Sequence, residues 1–184
     1  MSYSYRAYGL GIHSTINIPG LELTEVCPGD LRLKVEGGPE PEWVRLATRT
    51  EGRVVSYLPA GERTADPSFV LAEHGEADCY ELSYSDGTRF VVNGAADRVW
   101  GSCAAPLTDE DLATYFLGPV VGFLLRRMQI TCLHASGVKL HGRAVLLCGD
   151  AGCGKSTTAA ALALRGAAVV SEDIVPFRLT KGTF

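Results

Sequence analysis

The stretch Ala144-Val145-Leu146-Leu147-Cys148-Gly149-Asp150-Ala151-Gly152-Cys153-Gly154-Lys155-Ser156-Thr157 decides how the chain is read. Its first five residues are apolar and predict a strand. Residues 149–156 then fit G-x-x-x-x-G-K-[ST] at every fixed position, before a helical run from Ser156 to Arg165. Strand, glycine loop and helix in that order form a phosphate loop. The glycines let the backbone wrap so that amide N–H groups point at a polyphosphate, and the helix amino end adds partial positive charge. Gly149, Asp150, Ala151, Gly152, Cys153, Gly154, Lys155, Ser156 and Thr157 are the candidate binding residues for ATP. Lys155 is expected on the β and γ phosphates and the Ser156 hydroxyl on Mg²⁺. Asp150 is an unexpected neighbour for phosphate. Cys153 fills a variable position, and beside a helix amino end it is also a candidate for oxidation.

Downstream, Gly166 should close the helix, and Ala167 to Val170 predicts a short strand ending in Ser171-Glu172-Asp173. An acidic pair at a strand end there is placed to hold Mg²⁺ and to accept a proton from an attacking hydroxyl. Val175 to Leu179, followed by Lys181-Gly182, is expected to form the second arm of a hairpin in a parallel sheet. Upstream, Arg143 to Cys148 pairs with Cys132 to Lys139 through a turn at His141-Gly142, and its unbroken apolar character predicts a central strand. Before that hairpin, Thr108 with Asp111 resembles an N-terminal capping box. Leu112, Tyr115, Phe116, Val120, Phe123 and Leu124 then recur at helical spacing, Arg126 and Arg127 lie near the carboxyl end, and Pro119 should interrupt the helix.

From His134 to Phe177 the sequence resembles the catalytic domain of the HPr kinase/phosphorylase family. These are protein serine kinases whose fold is similar to that of phosphoenolpyruvate carboxykinase. Three features carry the resemblance: His134 twenty-one residues before Lys155, the loop from Gly149 to Ser156, and the acidic pair that begins seventeen residues after Lys155. The resemblance implies that His134 supports Glu172, that Glu172 acts on a serine hydroxyl, and that Asp173 helps Ser156 hold the metal. His134, Lys155 and Glu172 are thus the expected catalytic residues. The family usually carries Asp-Asp where this chain has Glu172-Asp173, which moves the first carboxylate outward by one methylene. The family's domain also continues well past the acidic pair. With the chain ending at Phe184, the alternative expectation is a truncated nucleotide-binding module without catalytic turnover. More loosely, the preceding helix and the opening Tyr5-Arg6-Ala7-Tyr8-Gly9-Leu10 resemble HPr-kinase-like proteins encoded beside lasso-peptide genes, some of which phosphorylate a precursor peptide.

Residues 1–103 have another texture. Short β-prone runs (Tyr3 to Leu10, Leu31 to Val35, Val54 to Leu58, Phe69 to Ala72, Cys79 to Tyr84, Arg89 to Val92, Arg98 to Trp100) alternate with turn clusters. The clusters are Gly37-Gly38-Pro39, Pro59-Ala60-Gly61, Asp86-Gly87 and Asn93-Gly94, and they predict an antiparallel β-rich module. His13 and His74 lie alone near turns and are expected to be superficial or structural. The fold class is therefore α/β: a β-rich N-terminal module over 1–103, then over 104–184 a helix and a partial P-loop domain similar to that of HPr kinase.

The 184 residues are 46% apolar and 21% charged, which suits a packed soluble chain. A net charge of −4 and four scattered lysines (34, 139, 155, 181) argue against a nucleic-acid partner. No apolar run reaches the ~20 residues of a membrane span, and the opening MSYSYRAYGLGIHS lacks a secretory core, so a cytoplasmic location and reduced cysteines at 27, 79, 103, 132, 148 and 153 are expected. The expected partner is a small protein or peptide bearing a serine, with a homo-oligomer open. A transport-type ATPase shares residues 149–157 but needs a signature helix and a distant strand ending in Asp, for which no room is expected.

Overall fold

The computed structural model describes residues 2–25, 31–55 and 69–177. The chain is mixed α/β and separates into two compact units, Met1–Phe116 and Leu117–Phe184. The division expected from texture at 103/104 differs from this one by the length of one helix.

Among the described residues the first unit is an eight-stranded sheet. Its strands are β1 (Tyr3–Ala7), β2 (Leu10–Ser14), β3 (Leu31–Gly37), β4 (Arg53–Val55), β5 (Phe69–His74), β6 (Cys79–Tyr84), β7 (Arg89–Asn93) and β8 (Arg98–Ser102), in the order β1-β2-β3-β8-β7-β6-β5-β4. Two expectations need correction. The run Tyr3 to Leu10 is a hairpin and not one strand: Tyr8 (φ 57°) and Gly9 (φ 75°) both adopt the left-handed conformation of a tight turn. The sheet is also not purely antiparallel, because β2 pairs with β3 and β3 with β8 in parallel. The long connection over 15–30 allows the first of these, since a parallel partner must re-enter from the same end. Expected features at 27, 56–58, 59–61, 178–179 and 181–182 lie outside the described residues.

Helices flank both faces of this sheet. The unforeseen α1 (Glu42–Ala47) buries Val44 and Ala47 against Cys79, Val91 and Trp100. On the opposite face lies α2 (Asp109–Tyr115), opened as expected by Thr108, whose N–H and Oγ1 both bond Asp111 Oδ2 at 2.8 and 2.9 Å. A Cβ on Gly101 would stand 2.6 Å from the Phe90 ring and 3.4 Å from Leu112, so glycine there sets how closely strand and helix approach.

A charged network ties α1 and its approach to the sheet. Glu81 receives the Arg89 guanidinium, the Ser83 hydroxyl and His74 Nε2, the last at 3.2 Å, while His74 Nδ1 faces the Thr50 carbonyl at 3.0 Å. Arg89 reaches on to Glu40 and Thr48. His74 is therefore structural. Burial works to raise the Glu81 carboxyl, but hydrogen bonds and charge from Arg89, with His74 and Ser83, outweigh it and hold the group below its ordinary 4.5. With the folded value depressed, this stabilisation is present above pH 4.5 and is lost as pH falls through the folded value. Glu81→Gln is expected to lower the unfolding temperature at pH 7 by a few degrees, corresponding to about 1–3 kcal/mol, and to flatten the fall in stability below pH 4.5. Thermal melts of both proteins across pH 3–7 measure this; parallel profiles would contradict it.

In the second unit the helical run breaks where Pro119 stands. Phe116–Val120 is a π-helical turn, the local solution to a missing N–H, and α3 (Val121–Arg127) follows with Val121, Leu124 and Leu125 buried. The sheet contains β9 (Thr131–Leu140), β10 (Arg143–Cys148), β11 (Ala168–Ser171) and β12 (Ile174–Phe177). β9 is central, with β10 on one side and β11 and β12 on the other, every pair antiparallel. This corrects three expectations. β10 is a flanking strand among the described residues, with most of its side chains exposed. The sheet is not parallel. β11 and β12 are not hairpin arms, because both run along the same side of β9 in one direction. The apolar runs carried no information about which strand lies in the middle; long-range pairing decides that.

Candidate functional site

The loop over 149–154 is strongly curved. Gly152 (φ 78°) and Gly154 (φ 91°) occupy left-handed conformations, and open space lies where their Cβ atoms would be. Cys153 N–H closes a turn onto the Asp150 carbonyl at 3.2 Å, and Gly154 begins α4 (Lys155–Ala163) by accepting from Thr158 N–H at 2.9 Å. The N–H groups of the helix's first turn therefore have no intrahelical partners and point out of its amino end. Lys155 Nζ donates to the Gly149 and Asp150 carbonyls, each at 3.0 Å, so its charge is folded over the mouth of the loop. Ser156 and Thr157 are exposed beside it. At its other end α4 closes as expected, with Gly166 at φ 93° donating to Ala163 O. Its underside packs Ala159 and Leu162 on Val138, Leu140, Leu147 and Ala167.

β9 joins the loop to the acidic pair. Ala135 pairs with Cys148, the residue before the loop, on one side. On the other side its N–H donates to the Asp173 carbonyl at 3.2 Å. Glu172 and Asp173 thus interrupt what would otherwise be a continuous strand: Gly137 pairs with Ser171 before them and His134 with Ile174 after them. Asp173 is left-handed (φ 59°), Ile174 N–H bonds Glu172 O at 2.7 Å, and the Ser171 hydroxyl bonds Ile174 O at 2.7 Å. The pair forms a sharp bend directly after β11 ends, with the same register before and after it; the one-residue bulge lies just upstream at Val170, between Val169 opposite Val138 and Ser171 opposite Gly137. Both acids are exposed. The two loops therefore leave opposite sides of β9 at one level, with His134 one residue before that level and exposed.

Residues that the sequence reading missed complete the arrangement. The Ser171 hydroxyl and the Ala135 N–H fix the acidic bend; a serine directly before an acidic pair was the available signal. Ser136 shares the α4-facing side of β9 with His134 and Val138, and it is buried with its hydroxyl unpaired within the protein.

These donors fit a magnesium nucleotide. A curved run of amides and a lysine suit phosphate, while one hydroxyl and one or two carboxylates suit Mg²⁺, which takes its other ligands from phosphates and water. Among the described residues no three His, Cys, Asp or Glu side chains gather as a self-sufficient metal site. No helix among them is long and apolar enough to cross a membrane.

The chain is a mixed α/β protein with this loop and the acidic bend on either side of one strand, and comparison with known proteins adds a likeness. The chain is 37% identical over 143 residues to the HPr kinase/phosphorylase of Brevibacillus brevis, a match covering 77% of this chain and 44% of that protein. It is 36% identical over 74 residues to the HPr kinase/phosphorylase of Caldanaerobacter subterraneus subsp. tengcongensis, covering 39% of this chain and 24% of that one. The chain thus spans less than half the length of these curated relatives. No family model matches it, and no solved structure does.

Proposed function

We propose that the chain belongs with the HPr-kinase-like proteins, binds ATP with Mg²⁺, and transfers the γ-phosphoryl group to a serine hydroxyl on a small protein or peptide in the cytoplasm. The observation that carries this reading is the register of β9: Ala135 faces Cys148 on one side and bonds Asp173 O on the other, so the glycine loop and the acidic bend flank one strand at one level. On this reading residues 104–184 form the nucleotide-binding part of a PEP-carboxykinase-like domain. Bound MgATP supplies the transferable phosphoryl group and its charge-neutralising metal. Loop amides from Gly149 to Thr157 cradle the phosphates, Lys155 leaves the Gly149 and Asp150 carbonyls for phosphate oxygens, and Ser156 and Asp173 hold the metal. Glu172 orients the serine hydroxyl and accepts its proton, and His134, opposite Ile174, steadies the bend that presents Glu172. Catalysis of this kind is mainly positioning and electrostatic stabilisation.

The test is incubation of the chain with γ-labelled ATP, Mg²⁺ and a panel of serine-containing peptides and HPr-like proteins. Label on serine, absent when Mg²⁺ is chelated, is the expected result. A second reading, nucleotide binding without turnover by this chain alone, is favoured by the exposure of Leu164, Val169 and Val170, apolar side chains that a partner would cover. MgATP-dependent thermal stabilisation without label transfer would select it.

A further inference from the structure

Building on the phosphate-loop reading, we propose that Cys148 and Cys153 form an oxidation-sensitive pair: a hydroperoxide converts them to a disulfide across the start of the loop, and nucleotide binding weakens. Among the described cysteines these two are exposed, whereas Cys79 is buried and Cys103 and Cys132 are partly so. Cys148 is the last residue of β10 and is bonded directly to Gly149. The turn closed by Cys153 N–H on Asp150 O brings the chain back on itself. As a result Cys153 Sγ lies only 2.7 Å from where a Cβ on Gly149 would stand. The two cysteines are five residues apart in sequence, yet the sulfur of the second lies against the residue that directly follows the first. Gly149 allows this, because any side chain there would displace the sulfur.

A disulfide holds its Cα atoms about 4.4–6.8 Å apart, so the bond ties the main chain at Cys153 to the end of β10. Gly152, with open space around it, can absorb the adjustment. The cost falls on the loop's purpose: the N–H groups of Gly154 and Lys155, which directly follow Cys153 and would face phosphate, are then held to the tether.

The chemistry balances in two steps. The Cys153 sulfur attacks the hydroperoxide, its O–O bond breaks, and a sulfenic acid forms with release of water or an alcohol. The Cys148 sulfur then attacks that sulfenic sulfur, forming the S–S bond and releasing one water. Each sulfur is oxidised by one electron equivalent and the peroxide is reduced by two. A thiol such as glutathione reverses the bond by exchange.

Both cysteines fall in the tryptic peptide over 144–155, so the experiment has two separate readouts. The whole chain is treated with hydrogen peroxide, the peptide is weighed, and MgATP binding is measured by thermal shift before and after. The expected result is a peptide lighter by about 2 Da and affinity reduced at least about tenfold, both reversed by dithiothreitol. Cys148→Ser should bind MgATP normally when reduced and should lack the mass loss. Normal binding by the reduced chain with no disulfide, or with one that leaves affinity unchanged, would overturn the proposal alone. Failure of the reduced chain to bind MgATP would remove the loop reading and the proposal together.

Discussion

Replacing Lys155 with alanine is expected to abolish the stabilisation of this protein by MgATP. A ligand that binds only the folded state, present at about a hundred times its Kd, stabilises by about 2.7 kcal/mol, which for a chain of this size is a rise of several degrees in melting temperature. The variant should show almost none of it. Lys155 Nζ bonds the Gly149 and Asp150 carbonyls at 3.0 Å in an exposed loop, so the substitution removes two solvent-competed hydrogen bonds and leaves the packing of Ala159 and Leu162 under α4 intact. Its unliganded melting temperature should therefore stay close to that of the parent. Lys155→Arg, which keeps the charge but not the compact ammonium, should recover part of the shift. A melting shift in Lys155→Ala equal to the parent's would remove the phosphate-loop assignment. An unfolded variant would instead be recognised by loss of the unliganded transition.

What could be read from the sequence was local. The loop over 149–156, the turn at His141-Gly142, the Gly166 cap, the Thr108–Asp111 box and the break at Pro119 each depend on conformations available to residues a few positions apart, and each stands in the structure near its expected place. What escaped depended on distant partners. Whether Leu146 and Leu147 sit in a central or a flanking strand is decided by what pairs with β9 on its far side, and that partner lies more than twenty residues on. The bend at Glu172-Asp173 is likewise invisible until β11 and β12 are both laid along β9, when the two residues are left outside the strand pairing between Ser171 opposite Gly137 and Ile174 opposite His134. In the first unit the parallel pairing of β3 with β8 joins segments some sixty residues apart, and no alternation within either announces it. The candidate chemistry was legible because residue types and spacing carry it; the placement of His134 beside the acids was legible only through resemblance.

Glu172→Gln is the second substitution with a large expected effect, and it separates binding from chemistry. The bend is held by main-chain and neighbouring groups: Ala135 N–H on Asp173 O, Ile174 N–H on Glu172 O, and the Ser171 hydroxyl on Ile174 O. None of these uses the Glu172 carboxylate, so an isosteric amide should leave the kink and its aim unchanged. Binding of MgATP, which on the proposed reading rests on the loop and on Ser156 and Asp173, should stay within about twofold of the parent. Transfer to serine should fall by about 10²- to 10⁴-fold, the contribution of a positioned general base, because an amide cannot accept the proton. Asp173→Asn should act differently, raising the Mg²⁺ concentration needed for half-maximal transfer, since on the proposed reading it removes a metal ligand and leaves the base. Glu172→Asp withdraws the carboxylate by one methylene while keeping its charge, so its activity reports whether this exposed bend tolerates a shorter reach. Single-turnover transfer measured at saturating MgATP distinguishes these cases. If Glu172→Gln transferred phosphoryl groups at the parental rate, Glu172 could not be the base, and positioning by the loop and metal alone would have to account for the reaction.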